Sequence, residues 1–213
     1  MTKGWATKGE RVALEKETQK LIRDTWSSPN RTNFMIGWQS YITKEKDARK
    51  SSSAILRFLE SKGIGERNRA FLSLAIYLFL AEGAYASYMN FVCFMLVSQG
   101  HDLYNVFKRR FACSFKEIEG VNLETKEQFL KEHRLDLFKK GLNRKLRNAI
   151  AHYDFKIEDD GTISVKGEII DINYELEQLL DFMSFLHGAT AKAFKQIQPR
   201  KPHSKTKRKR DNQ

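Results

Sequence analysis

Residues 71–97 read FLSLAIYLFLAEGAYASYMNFVCFMLV, a run with a single Asp, Glu, Lys or Arg, namely Glu82. A stretch of this length can cross a bilayer, so its reading decides the fold. Glu82 lies near the middle, beside Gly83 and several Ala and Ser. A lone carboxylate at mid-membrane is costly, whereas a helix apolar on most sides is what the centre of a bundle presents. The buried helix is therefore favoured, running from about Arg67 to Ser98 with Gly100 as its stop. Recovery in a membrane pellet would mark the other reading.

The 213 residues suffice for one well-filled core, or one domain with an appendage. Fifteen Phe and seven Tyr give that core aromatic bulk, and only three Pro favour a mostly helical chain. Cys93 and Cys113 have no CxxC neighbour and no His at ligand spacing. They read as buried thiols of a reducing cytosol rather than as a disulfide or a metal pair. The net charge is +12 and the isoelectric point about 9.7. Residues 199–213, PRKPHSKTKRKRDNQ, hold seven Lys or Arg against one Asp and supply half of that charge. A basic body with a basic, disordered tail favours a polyanionic partner, nucleic acid first. A tail that merely solubilises is the plainer alternative. The start, MTKGWATKGER, carries charge without an apolar stretch. No secretory signal is expected, and the expected compartment is the cytoplasm.

Outward from the long helix, the periodicity predicts further helices. Leu14, Thr18, Leu21, Ile22 and Trp26 recur at helical spacing, ended by Ser27-Ser28-Pro29-Asn30. A second helix is expected around Phe34, Trp38, Tyr41 and Ile42, followed by the charged KEKDARK. Ser51-Ser52-Ser53 then caps a short helix through Leu56 and Leu59, stopped at Gly63-Ile64-Gly65. Trp5, Trp26 and Trp38 read as packing anchors. Residues 102–120 are expected to be helical. Asn122 is expected to cap a helix carrying Leu123, Phe129, Leu130, Leu137 and Phe138, broken at Gly141. After Tyr153, FKIEDDGTISVKGEIID alternates around Asp160-Gly161 and predicts a small β-hairpin. A last helix from Asn173 carries Leu176, Leu179, Leu180, Met183 and Leu186. The expected fold class is all-α: an N-terminal helical extension over 1–66, a helical domain over 67–198 with the hairpin before its last helix, and the tail.

One segment of that domain carries chemistry. Arg144 to Phe155 reads RKLRNAIAHYDF. At about 100° per residue, Leu142, Leu146, Ala149, Ile150 and Tyr153 share one side of a helix. Arg147, Ala151, Asn148, Arg144 and His152 fall on the opposite arc. Asn148 and His152 are i, i+4 neighbours, so the amide can hold the imidazole. Arg147 can lean over Ala151. A guanidinium matches two phosphate oxygens and stays charged at any working pH. A histidine titrates near neutrality and can take or return a proton. No cluster of Asp, Glu or His accompanies the motif, so neither metal nor cofactor is expected. Without metal, a phosphodiester is cleaved most readily in RNA, where the 2′-OH is an internal nucleophile. Arg five positions before His is a weak pattern by itself. It occurs once: His101, His133, His187 and His203 have Leu96, Gln128, Phe182 and Gln198 at that place.

With its context, LRNAIAHYDF after a long apolar helix and before a hairpin and final helix, the segment resembles the HEPN superfamily. The likeness spans roughly residues 67–198. It implies a helical bundle with Arg147, Asn148 and His152 as the catalytic set of a ribonuclease. It also implies a homodimer with facing motif helices and a composite site, with products carrying a 2′,3′-cyclic phosphate and a 5′-hydroxyl. Family members serve as toxins, anti-phage effectors or RNA-processing enzymes, so an antitoxin or regulatory protein is a further partner. Members without activity imply the alternative of an inactive RNA- or nucleotide-binding module.

The surrounding residues admit two readings each. Arg147 and His152 can be a solvated face that favours a helix end. Arg144 and Lys145, with Lys108, Arg109 and Arg110 among the aromatics of 104–115, can grip RNA by charge and stacking. The latter run can equally be a core helix with a basic rim. Glu82 reads as a partner of His152 or, more simply, as a buried carboxylate bonded to Tyr or Ser. Tyr153 reads as a core residue with its hydroxyl satisfied.

Overall fold

The computed structural model describes residues 4–27, 29, 31–60, 63–105 and 110–197. The chain is an all-α bundle with small β elements. Helices α1 (Lys8–Ser27) and α2 (Arg31–Leu59) precede α3 (Glu66–Phe79), which runs through a π-turn (Leu80–Tyr85) into α4 (Ala86–Ser98). Strands β1 (Tyr104–Asn105) and β2 (Arg110–Phe111) follow, then α5 (Phe115–Glu119), α6 (Leu123–Glu132), a 3-10 turn (Asp136–Lys139) and α7 (Arg144–Ala151). Strands β3 (Lys156–Ile157), β4 (Ile163–Val165) and β5 (Glu168–Ile170) lead into α8 (Ile172–Ile197).

Residues 66–98 are long and apolar enough to cross a membrane by length and composition, yet they form the bundle's centre. Tyr77, Tyr85, Tyr88, Met89 and Phe91 are buried there. Leu14, Leu21 and Ile22 of α1 and Phe34 and Tyr41 of α2 belong to the same core as Phe182 and Leu186 of α8. The N-terminal helices thus complete the core of the motif-bearing part. Trp5 stacks edge-on against Phe182 at 4.7 Å, and Trp26 against Phe34 at 5.7 Å.

Four expectations need correction. The helix capped by Asn122 ends at Glu132, and Leu137 and Phe138 lie in the separate 3-10 turn. The second helix is continuous to Leu59, with no new start at the serines. Its buried stripe passes from Phe34, Gly37 and Tyr41 to Glu45, Ala48 and Ser52. Small and polar residues continue the stripe because α2 approaches the central helix closely: a Cβ on Gly37 would lie 2.9 Å from the Phe94 ring. Residues 102–120 are not one helix. Tyr104 and Asn105 pair with Phe111 and Arg110, and the short α5 begins at a capping box between Ser114 and Glu117. The expected hairpin extends into a three-stranded antiparallel sheet, β3-β4-β5, because a second turn reverses the chain at Lys166 and Gly167, both at positive φ. Of the cysteines, Cys93 is buried as expected, its thiol pushed up to about 12 by burial. Cys113 is exposed. The tail lies outside the described residues.

Candidate functional site

Helix α7 is pinned at its start by other elements. The Asn143 side chain accepts from Leu146 N at 3.0 Å as the N-cap, and donates to Glu175 Oε1 of α8 at 3.0 Å. The Tyr77 hydroxyl of α3 donates to Asn143 O at 3.3 Å and accepts from Asn143 N at 3.0 Å. Burial pushes the Tyr77 phenol above its ordinary range, so it stays a neutral partner.

The first turn carries Arg144 and Lys145, and both meet protein carboxylates. Arg144 Nη1 lies 2.9 Å from Glu127 Oε2 of α6. Glu127 is 5% exposed, and desolvation pushes its carboxyl up, opposed by the Arg144 charge. Arg144 is therefore the counter-ion of a buried acid. Lys145 pairs with Glu168 of β5 at 2.6 Å, in an exposed pair that water screens.

Arg147 lies one turn further on. Its Nε donates to Glu82 of the π-turn, and its Nη1 donates to Asn148 Oδ1 at 2.9 Å. The Arg147 side chain is 25% exposed and that of Glu82 45%. Glu82 is thus neither buried with Tyr or Ser nor bonded to His152. Its partner is the motif arginine. The structure brings Arg147 and Asn148 together and leaves His152 apart. His152 is the C-cap, with φ −108° and ψ 7°, so it has left the helix and the i, i+4 relation to Asn148 holds for the backbone alone. Its N–H donates to Asn148 O at 3.0 Å. The imidazole is exposed and has no hydrogen-bond partner among the described residues.

The end of α7 explains a further correction. Tyr153 N donates to Ile150 O at 3.3 Å and Asp154 N to Ala149 O at 2.8 Å, with Tyr153 at φ 57°. This is a Schellman termination with tyrosine in the left-handed position that glycine usually fills. Helical phase stops before residue 153, so Tyr153 points outward, 81% exposed, instead of into the core. Beside it, a cavity of about 250 Å³ opens between α3 and α7, walled by Phe71, Ala75, Phe79, Ile150, Ala151 and Tyr153. Phe71 is 50% exposed and Phe79 46%. Ala151, which lines this cavity, stands four positions after Arg147 on α7.

Of the distant basic residues, Arg110 on β2 pairs with Glu117, and near it Tyr104 and Phe111 stand edge to face at 5.7 Å. Lys108 and Arg109 lie outside the described residues. Among the described residues no three His, Cys, Asp or Glu side chains are placed to hold a metal ion. Sequence reasoning weighed Glu82 as a partner of His152 and missed its pairing with Arg147, and it missed the aromatic rim from α3. One signal was present for the first: an isolated charge in an apolar run requires a counter-ion or water. No family model, curated protein or solved structure matches the chain.

Proposed function

We propose that the chain is a metal-independent endoribonuclease of HEPN type, cytoplasmic and homodimeric, acting as a toxin or anti-phage defence effector. Arg147 carries this reading. It is held on two sides, partly exposed, with Nη2 free of any partner among the described residues, one turn before an exposed histidine. The 2′-oxygen of RNA attacks phosphorus, and the bond to the 5′-oxygen breaks, leaving a 2′,3′-cyclic phosphate and a 5′-hydroxyl. His152 takes the proton of the 2′-OH, and His152 of the partner subunit returns one to the leaving oxygen. Arg147 stabilises the charge that builds on the phosphorane. Support for a second copy comes from the aromatic rim of Phe71, Phe79 and Tyr153, a contiguous exposed apolar face. A two-fold contact there would cover it and draw the two motif helices together. The test is cleavage of labelled RNA in EDTA. Loss in both Arg147→Ala and His152→Ala is the expected result, and full activity in both ends the reading.

A second reading, a non-catalytic RNA-binding or toxin–antitoxin partner module of the same fold, rests on a specific observation. The imidazole of His152 has nothing to orient it among the described residues, and Glu82 already offsets the Arg147 charge. In that case His152→Ala keeps RNA affinity, while neutralising the tail lowers both affinity and its salt slope.

A further inference from the structure

Glu82 sits in the π-turn that interrupts the central helix, and such turns are rare and concentrate at functional sites. The turn is seated from behind. A Cβ on Gly83 would stand 2.6 Å from Ala48 Cβ, so α2 packs directly on the backbone there. The carboxylate is thereby delivered to Arg147 at the surface. It occupies the Nε corner of the guanidinium, while Asn148 Oδ1 occupies Nη1 at 2.9 Å.

We propose that Glu82 is the positioning and selectivity residue of this site: it fixes the guanidinium so that Nη2 is the corner offered to substrate, and its charge favours a singly charged internal phosphodiester over a doubly charged terminal phosphate. The inference rests on the reading of Arg147 as the phosphate-binding group. An arginine with open edges takes phosphate by two parallel N–H bonds and gains from every added negative charge. One whose Nε–H is taken by a carboxylate and whose Nη1 is partly taken by an amide offers chiefly the N–H groups of Nη2, and little net charge. A terminal phosphate, carrying about −2 at neutral pH, meets the stronger repulsion from Glu82, and an internal linkage the weaker. The site then favours the interior of an RNA chain over free phosphate and over chain ends that carry a phosphomonoester.

The test compares Glu82→Ala and Glu82→Gln with the wild-type chain, with thermal melting as the check on folding. Glutamine keeps an oxygen for Nε and removes the charge. Calorimetry with inorganic phosphate is the first measurement, and Glu82→Gln is expected to bind it about 10-fold more tightly than wild type. Kinetics on labelled RNA is the second. Glu82→Ala is expected to lose on the order of 100-fold in kcat with a smaller change in KM, and Glu82→Gln to recover most of that loss. Equal phosphate affinity in wild type and Glu82→Gln overturns the selectivity, and undiminished kcat in folded Glu82→Ala overturns the positioning. If wild type cleaves no RNA, tighter phosphate binding by Glu82→Gln still upholds the selectivity while the nuclease reading falls.

Discussion

Arg144 and Arg147 lie one turn apart on α7, and each meets a carboxylate from another helix. Around Arg144 the acid is buried: Glu127 is 5% exposed, and its Oε1 has no hydrogen-bond partner in the described structure. Lys126 beside it is buried too, and burial lowers its ammonium to about 8. Around Arg147 the acid is at the rim, with Glu82 nearly half exposed. A buried pair cannot lose one partner without leaving a charge in a poor solvent. A rim pair contributes little to folding, so Arg147 can serve an incoming anion at its open corner without cost to the fold. Burial of the acid, and not of the arginine, separates the two pairs: the Arg144 side chain is 45% exposed and that of Arg147 25%.

That contrast can be broken most sharply at Arg147. Arg147→Ala should lower RNA cleavage by at least about 100-fold while denaturant midpoints move little. A large drop in stability would mean that the two arginines are alike. Arg144→Ala should do the reverse, destabilising by about 2–3 kcal/mol in urea titrations because Glu127 is stranded. Removing the neighbouring buried cation sharpens the same point. Lys126→Met should stabilise by about 2 kcal/mol at neutral pH. The sign follows from linkage: between about 8 and the ordinary lysine value of 10.5 the unfolded chain binds the proton and the folded chain does not. The wild-type penalty is therefore full below pH 8 and fades as pH rises through that window, so the two stability curves should converge. At the rim, Tyr153→Gly should raise stability by about 1 kcal/mol by relieving the left-handed residue. Calorimetric melting of the two chains at a fixed concentration would show no gain if a partner surface already offsets the strain.

The helical bundle was legible because its apolar stripes are long. Leu14, Leu21 and Ile22, or Leu179, Met183 and Leu186, repeat over several turns. Where the stripe changed chemistry, legibility failed. Glu45, Ala48 and Ser52 continue the buried face of α2 but read as a charged break and a cap. In residues 102–120 the Ser114–Glu117 capping box was a usable start signal. The backbone bond from Ala112 N to Leu103 O, 2.8 Å, belongs to a fold-back that periodicity does not reveal. At the site, the Arg, Asn and His were readable as residues, but their relation was not. Asn148 turns to Arg147 because the helix ends at His152, and Glu82 reaches Arg147 across 65 positions of chain. A pairing of that range leaves no trace in local spacing.

The π-turn has one more consequence. A turn with an extra residue advances everything beyond it by a fraction of a revolution, so the longest rod of the molecule has two faces that are out of step. Its upstream half shows Phe71 and Phe79 to the outside, and its downstream half sinks Tyr88, Met89 and Phe91 wholly inward. Excising a single residue between Leu80 and Tyr85 would bring the halves into step, and could do so only by turning part of the hydrophobic interior toward water or the aromatic rim toward the interior.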